Sequence, residues 1–375
     1  MKLFEHQAKA LFEGANIPVP NRAVIKNRSE LDDAISQVGL PCVIKAQVLH
    51  GGRGKAGLIK VAEEKEEAKE KVTDVIERAE NTPDLLIEEA VAIANEFYVS
   101  MTADPSTGSV MMMGSAEGGI DIEEVARTMP EKIIKTNVNV NEGLLPYQAR
   151  EFLFDLGIEK KMIGQGTKLL LNLYDVYRKH DAELVEINPL MVTEEGNFVA
   201  GDGKITIDDN ALFRHPQFSL TREHFDDDVQ YAAAIEGIPY LQFSGDIGLM
   251  CAGAGLTNAV YDLVNDHGGS VASYLEFGGP NYHKAVKSME LIMQNEIKVL
   301  LVVTFGTIAR ADVMAQGLVD AIKEHKPEFP IVTAIRGTGE EAAHDILRDF
   351  GLEPLSDTEE AVKKAIKLTG GVPTQ

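Results

Sequence analysis

Residues Ala182–Ile207 read AELVEINPLMVTEEGNFVAGDGKITI and predict two strands joined by a glycine-bearing turn. Strand alternation places Glu186 and Asn188 on one face of the first strand, and Asp202 falls on the return strand, close enough to meet Asn188. Two oxygen-bearing side chains on a hairpin suit Mg²⁺ bound to a nucleotide phosphate, because this ion takes hard oxygen ligands and usually few from protein. The alternative is an ordinary hairpin whose polar side chains face water.

Composition limits the classes of protein to consider. A chain of 375 residues predicts two or three domains, and 44% hydrophobic with 25% charged residues is typical of a soluble globular protein. The net charge of −23 argues against nucleic acid as a partner, because nothing would neutralise its phosphates. With two cysteines, no secretory pattern at the start and no apolar run long enough for a membrane span, we expect a cytoplasmic location and no membrane contact.

The two halves of the chain differ in pattern. The first half predicts α+β structure built on antiparallel strands. From Gly245 onward, apolar strands alternate with amphipathic helices, which predicts a parallel sheet covered on both faces in a flavodoxin- or Rossmann-like domain. Nearly every strand there ends in a glycine-bearing turn, and ligands of such sheets bind beyond the carboxyl ends of the strands.

A second candidate site is the glycine loop His50–Lys55, with the sequence HGGRGK, although the chain lacks the P-loop pattern. Glycines let a backbone close over phosphates, and cations offset their charge. Lys45 ends the buried-type strand VIKA, where a lysine that reaches phosphate oxygens has a reason to be. Glu88 and Glu96 bracket IEEAVAIANE and could accept hydrogen bonds from a base or ribose. A plain turn and surface carboxylates are the alternatives.

The order of these elements matches an ATP-grasp pattern, and longer segments carry a closer resemblance. The chain resembles the β subunit of the succinyl-CoA synthetase family over essentially its whole length, in FEHQAKALFEGANIPVP, KAQVLHGGRGKAG, EGGIDIEEVA, PYQARE, LVEINPLMVT and DDNALFRHP. The resemblance implies an α+β ATP-grasp domain of two subdomains (residues 1–225), a connecting segment (226–244) and an α/β flavodoxin-like CoA-ligase domain with a parallel sheet (245–375).

The resemblance also implies roles for individual residues. ATP would be held by Lys45, Gly52, Arg53, Gly54, Glu88 and Glu96, with Val91 nearby through its backbone. Asn188 and Asp202 would hold Mg²⁺. Glu186 matches the catalytic glutamate that steadies a phosphohistidine, whose second ring nitrogen a carboxylate can orient. The phosphate-binding residues do not distinguish ATP from GTP.

The implied reaction is NDP-forming acid–CoA ligation. The nucleotide phosphorylates a histidine of an α subunit, which also carries the coenzyme A site. The phosphoryl group passes to a small dicarboxylic or related dianionic acid, with succinate as the family default, and the thiol then displaces it to give the thioester. An αβ or α2β2 assembly and either direction of the reaction fit the sequence equally.

The loops expected to bind the acid depart from the family pattern. The family's NGAGL is AGAGL at Ala252–Leu256, its DVGGGA is EFGGPN at Glu276–Asn281, and its FGGIVR is FGTIAR at Phe305–Arg310. The residues expected to contact the acid are Ala252, Thr307, Ile308 and Ala309. Since a site built to hydrogen-bond one group rejects analogues that lack it, the acid could be malate or a sulfonated acid such as sulfoacetate. Drift among succinate enzymes is the alternative.

Two rival classes remain at this level. A dinucleotide-binding oxidoreductase is suggested by Gly253-Ala254-Gly255 after a strand and by Glu276 at the end of the next, although Asn258 replaces the third glycine of that motif. A non-catalytic scaffold is the second rival, and the intact nucleotide-binding residues argue against it.

Overall fold

In the computed structural model, which describes residues 1–79, 84–120 and 122–373, the chain forms two compact units, Met1–His224 and Phe225–Gln375. Each unit is described by itself below. Within the described ranges, no helix combines the length and the apolar character needed to cross a lipid bilayer.

The first unit is α+β, as predicted. Its helices are α1 (Glu5–Gly14), α2 (Leu31–Val38), α3 (Lys65–Arg78), α4 (Ile122–Thr128), α5 (Pro146–Asp155) and α6 (Ile163–Lys179). Its strands are β1 (Arg22–Ile25), β2 (Cys42–Ala46), β3 (Ile59–Ala62), β4 (Leu85–Glu89), β5 (Ile93–Asp104), β6 (Ser109–Ser115), β7 (Ile134–Val138), β8 (Ala182–Thr193), β9 (Phe198–Ala200) and β10 (Lys204–Ile207). They form two antiparallel sheets, ordered β1-β4-β2-β3 and β10-β8-β5-β6-β7, with β9 beside β8.

Each sheet of the first unit has its own hydrophobic core. The smaller core includes Ile44 of β2 and residues of α2 and α3, while the larger includes β5, β8, α5 and α6. Helix α1 belongs to the larger core through Ala8 and Phe12, neither of which is exposed. The N-terminal helix is therefore fixed to one sheet, and the candidate phosphate-binding strand and loop belong to the other.

The return strand of the predicted hairpin is interrupted, and this places Asp202. Strands β9 and β10 pair with different parts of β8, and Gly201–Gly203 lies between them. A Cβ atom on Gly201 would lie 2.9 Å from the sulfur of Met191, and one on Gly203 would lie 2.5 Å from the Phe12 ring. The prediction of one continuous strand was therefore wrong, because close packing of these glycines breaks the strand and leaves Asp202 in the gap.

The second unit is an α/β layer structure. Its strands are β11 (Tyr240–Gln242), β12 (Ile247–Cys251), β13 (Val271–Glu276), β14 (Val299–Gly306) and β15 (Ile331–Gly337). Its helices are α7 (Asp228–Ile235), α8 (Ala254–Asp266), α9 (Ala285–Ile292), α10 (Ala311–His325), α11 (Glu340–Phe350) and α12 (Thr358–Leu368). The strand order is β11-β13-β12-β14-β15, with every pair parallel except β11 with β13. Along β14, Leu300 and Val302 enter one core and Leu301 and Val303 the other, so both faces of the sheet are covered.

Residues 226–244, expected to be a connecting segment, have regular structure within the second unit. They contain α7 and β11, and β11 extends the sheet by pairing antiparallel with β13. Ala233 and Ile238 are buried in one core of that unit. The segment lies at the margin of this unit, because β11 is the edge strand of the sheet.

Candidate functional site

Lys45 lies at the end of β2 and is buried, as its strand context predicts. Its Nζ donates to Glu5 Oε1 and to the Gly201 carbonyl, each at 2.8 Å, and lies 2.7 Å from Glu88 Oε2. An ammonium group has three N–H donors, so each has an acceptor here. Burial alone would lower the pKa of Lys45, but the Glu5 and Glu88 carboxylates raise it above its ordinary value, so this lysine is charged.

Helix α1 contributes two charged residues that the sequence analysis missed, Glu5 and Lys9. Lys9 has no exposed surface. Its Nζ lies 2.5 and 2.7 Å from the two Glu88 oxygens and 2.9 Å from Glu5 Oε1, and it donates to the Gly201 carbonyl at 2.8 Å. Burial and the neighbouring Lys45 charge lower the pKa of Lys9. The two lysines therefore share the same set of acceptors.

Arg53 of the glycine loop connects Glu5 of α1 to Asp202 of the hairpin. Its guanidinium donates to Glu5 Oε2 and to Asp202 Oδ2, each at 2.6 Å, and to the Ala46 carbonyl at 3.3 Å. Burial would lower the pKa of Arg53, but Asp202 and Glu5 raise it. Burial and the Glu5 charge raise the pKa of Asp202, while Arg53 opposes this shift.

Six charged side chains thus form one assembly, which we call the buried charge cluster: Glu5, Lys9, Lys45, Arg53, Glu88 and Asp202. It balances three cations against three carboxylates. The structure brings together four residues predicted from the sequence and adds two from α1. The Glu88 side chain is 2% exposed and is held between two lysines. A contact from this residue to a base or ribose would therefore come from its backbone.

The glycine loop has an open face. A Cβ atom added to Gly51, Gly52 or Gly54 would meet nothing within 4 Å. Gly52 has a φ of +79°, which favours glycine, but Gly51 and Gly54 have no such requirement. Packing and backbone conformation thus do not explain those two glycines, and a loop open in this way has room for a ligand close to its backbone.

A second loop, which contains Gly119 and Ile120, contacts strands β5 and β8 at Glu96 and Asn188. The Asn188 side chain accepts a hydrogen bond from the Gly119 amide at 2.8 Å and donates to the Ile120 carbonyl at 3.0 Å. A Cβ atom on Gly119 would lie 2.8 Å from Glu96 Oε2. Val91 is half-buried in the connection between β4 and β5. The predicted residues Glu96 and Asn188 therefore border the same loop.

The donor set at the hairpin fits a metal that a nucleotide brings with it. Asn188 and Asp202 each carry a hard oxygen that could coordinate a metal. In the structure Asn188 Oδ1 accepts the Gly119 amide at 2.8 Å, and Asp202 Oδ1 accepts the Gly203 amide at 2.7 Å. In the part of the chain that the structure describes, no group of three or more His, Cys, Asp or Glu side chains could hold a metal by itself. Two protein oxygens completed by phosphate and water match the habit of Mg²⁺.

Glu186 is half-buried on the face of β8 opposite Val185 and Ile187, which are fully buried. The Tyr98 hydroxyl donates to Glu186 Oε2 at 3.3 Å, and Lys204 is its register partner on β10. Burial raises the pKa of Glu186, although Lys204 and Tyr98 oppose the shift. An approaching cation or N–H group would therefore stabilise this carboxylate.

In the second unit, the residues predicted to contact the acid flank a change in strand order. Ala252 follows β12 and Thr307–Ala309 follows β14, its parallel neighbour. The chain places β13 on one side of β12 and β14 on the other, and such a switch point is where ligands bind in open α/β sheets. The exposed fractions of Phe305 and Ile308 are 58% and 95%.

The helix N-terminus beside Ala252 already holds a carboxylate. The Gly253 amide donates to the Glu276 oxygens at 2.9 and 3.2 Å, and the Tyr274 hydroxyl donates to Glu276 at 2.5 Å. A Cβ atom on Gly278 would lie 2.7 Å from both the Ala252 Cβ and a Glu276 oxygen. The amide at the start of this helix is therefore already paired with a carboxylate of the same chain.

Comparisons with known proteins identify both units. Residues 2–192 match the family model of the ATP-grasp domain, and residues 250–368 match that of the CoA-ligase domain, which confirms the predicted fold. The chain is 54% identical over 371 residues (99% of the chain, 100% of the relative) to the ADP-forming sulfoacetate-CoA ligase subunit SauC of Bilophila wadsworthia. It is 40% identical over 375 residues (98% and 100%) to the succinate–CoA ligase [ADP-forming] subunit beta of Bacteroides thetaiotaomicron. Its fold resembles that of ATP citrate lyase from Methanothrix soehngenii, with a TM-score of 0.74 at 20% identity over 98% of this chain and 99% of that one.

Proposed function

The chain belongs to the succinyl-CoA synthetase (succinate–CoA ligase) β-subunit family of ADP-forming CoA ligases, and from that premise we propose that its acid substrate is sulfoacetate. The observation that carries this proposal is the position of the altered loops at the carboxyl ends of the neighbouring strands β13, β12 and β14. The full-length similarity to a subunit named for sulfoacetate supports it. The oxidoreductase and the scaffold are set aside, because the family is one of ligases.

The chemistry of the acid fits these loops. Succinate ends in a planar carboxylate, whereas sulfoacetate ends in a tetrahedral sulfonate on a shorter carbon chain. Ala252 in place of asparagine leaves more room beside β12, and Thr307 adds a hydroxyl donor beside β14. Donors that match three sulfonate oxygens would be left unpaired by succinate, and unpaired polar groups are the basis of strong discrimination.

The first unit would bind the nucleotide. The open glycine loop and Arg53 would hold the phosphates, and Glu88, Val91 and Glu96 would lie along the base and ribose. Arg53 has five N–H donors and gives three hydrogen bonds here, so it can take a phosphate oxygen and keep Glu5. Lys45 would replace one of its three present acceptors with a phosphate oxygen. Mg²⁺ held by Asn188 and Asp202 would offset phosphate charge when bound.

Glu186 would serve the phosphoryl carrier. We assign this carrier to an α-type partner subunit with a reactive histidine and the coenzyme A site. The γ-phosphoryl group moves from ATP to one imidazole nitrogen, ADP leaves, and Glu186 accepts the N–H of the other nitrogen. The positive charge on the ring then meets a carboxylate whose pKa burial has raised, which favours the phosphorylated state.

The test is an acid panel with the chain co-produced with its α-type partner. Sulfoacetate, succinate and malate are each supplied with coenzyme A, Mg²⁺ and either ATP or GTP, and thioester and nucleoside diphosphate are measured. We expect kcat/KM for sulfoacetate to exceed that for succinate by at least about 100-fold, the level of discrimination that mismatched polar groups give. A preference for succinate or malate would overturn the proposed substrate and leave the ligase chemistry intact.

A further inference from the structure

All three cations of the buried charge cluster contact one carboxylate, that of Glu5. Its Oε1 accepts from Lys45 at 2.8 Å and lies 2.9 Å from the Lys9 ammonium, and its Oε2 accepts from Arg53 at 2.6 Å. The residue is 4% exposed. These three cations hold the pKa of Glu5 well below its ordinary value against the effect of burial. Glu5 is therefore an ionised carboxylate with no bulk water to support it.

We propose that Glu5 is a positioning residue of the nucleotide site, which holds Lys45 and Arg53 where the phosphates of the nucleotide will lie. This inference rests on the proposed nucleotide-binding role of the first unit. It assigns a function to the first turn of α1, a part of the chain outside the glycine loop and the hairpin.

The fold gives Glu5 the position that this role requires. Helix α1 is packed into the larger core, whereas Lys45 and Arg53 belong to the strand and loop of the smaller sheet. The neighbouring His6 amide donates to the side chain of Gln47 at 3.0 Å, which adds a second link from the same helical turn to the segment after β2. Movement of Glu5 would thus move both cations relative to Asp202.

Electrostatics gives a sharp test, because positioning and net charge predict opposite results. Removing the charge of Glu5 adds one net positive charge to the cluster, and by charge alone an anionic nucleotide would bind more tightly. In the positioning role, the same change frees the Arg53 side chain from one of its two carboxylates and leaves the ammonium groups of Lys9 and Lys45 to share Glu88. The nucleotide would then bind less tightly, because it must order these side chains itself.

The experiment measures Mg-ADP binding to the full chain by titration calorimetry. We expect Glu5→Gln to raise Kd at least about tenfold, a change of about 1.4 kcal/mol, and Glu5→Asp, which keeps the charge but shortens the reach, to raise it less. The matched control is Glu13→Gln on the same helix, since Glu13 forms a surface pair with Arg22 and its side chain is 67% exposed. Its Kd should stay within about twofold of the unchanged chain.

A double-mutant cycle separates positioning from a general structural effect. If Glu5 acts largely through Arg53, the loss from Glu5→Gln should shrink severalfold in an Arg53→Met background. An unchanged or lower Kd for Glu5→Gln would overturn the proposal. So would a loss that stays equally large in the Arg53→Met background and in a Lys45→Met background. If Glu5→Gln fails to fold, the test uses Glu5→Asp instead. A wild-type affinity of that folded variant for Mg-ADP would also overturn the proposal. Absence of Mg-ADP binding by the unchanged chain would instead count against the proposed nucleotide role.

Discussion

Arg53 and Asp202 form an ion pair of 2.6 Å between the glycine loop and the break in the return strand. The group proposed to bind phosphate and the group proposed to bind Mg²⁺ therefore neutralise each other. A metal ion at Asp202 would compete with the guanidinium for the carboxylate, and its binding would release donors of Arg53 toward the nucleotide. We therefore expect metal binding and nucleotide binding to be coupled through this exchange of partners.

Asp202→Asn tests this coupling. We expect the variant to lose at least about tenfold in Mg-ADP affinity, since an amide is a weaker metal ligand than a carboxylate. Affinity for metal-free ADP should stay the same or rise, because Arg53 loses one of its two carboxylate partners and keeps only Glu5. Calorimetry with Mg²⁺ and with a chelator measures both. Asp175→Asn, at a helical surface position, is the control, and an equal loss with and without metal would contradict the coupling.

Gly54→Ala tests the open face of the glycine loop. The added methyl group meets no protein atom within 4 Å, so the melting temperature should stay within about 1 °C. A phosphate close to the backbone would meet that methyl group, and we expect the KM for ATP to rise at least about tenfold. The control is Gly164→Ala, where the methyl group also has open space but lies in α6. Unchanged KM would show that the loop does not cradle phosphate.

Lys9→Met tests the stability of the buried charge cluster. Removing this fully buried cation leaves Glu88 and Glu5 short of a partner, and breaking a buried ion pair in this way costs about 3–5 kcal/mol. Urea unfolding, followed through the transition of the first unit, measures the loss. Lys161→Met removes a lysine whose side chain is 71% exposed and should stay within about 0.5 kcal/mol. A similarly small effect for Lys9→Met would mean that the ion pairs of Lys9 contribute little to stability.

Glu186→Gln should stabilise the fold and abolish phosphoryl transfer. The pKa of Glu186 is raised by burial, so between the ordinary glutamate value of about 4.3 and the raised value the native state binds more protons than the unfolded state. The contribution of the Glu186 carboxyl group to the free energy of unfolding therefore falls as pH rises through this window, and it is unfavourable at pH 7. Glutamine removes that cost, and the melting temperature should rise at pH 7 but not at pH 4. Phosphorylation of the partner histidine, measured with labelled ATP, should fall at least about 100-fold. A lower melting temperature at pH 7 would contradict the stability prediction.

Ala252→Asn tests acid selection by restoring the family's asparagine at the switch point. We expect the ratio of kcat/KM for sulfoacetate to that for succinate to fall at least about tenfold, because the amide fills space and changes the donors offered to the acid. The KM for ATP should not change, since this residue lies in the second unit. An unchanged ratio would assign the selection to the loops after β13 and β14.

The sequence predicted most of the strands, the parallel sheet and four of the six residues of the buried charge cluster, because strand patterns and the residues within them are local features. It missed Glu5 and Lys9, since a glutamate and a lysine four residues apart on a helix usually form a solvated pair. The sequence did contain a pattern that indicates burial of these two residues. The spacing of a buried helical stripe is occupied by Glu5, Ala8, Lys9 and Phe12. The interruption at Asp202 depends on the rings and side chains that pack against two glycines, which no local pattern reports.

The balance of three cations against three carboxylates has an evolutionary consequence. A single charge-removing substitution in this set leaves a buried ion without its partner, so these positions should mutate together or stay fixed. Ala252 and Thr307 take part in no such balance and can change one at a time. With Ala252 and Thr307 in the proposed acid-binding role, we expect the acid to change by point mutation among related proteins while the residues of the buried charge cluster stay the same.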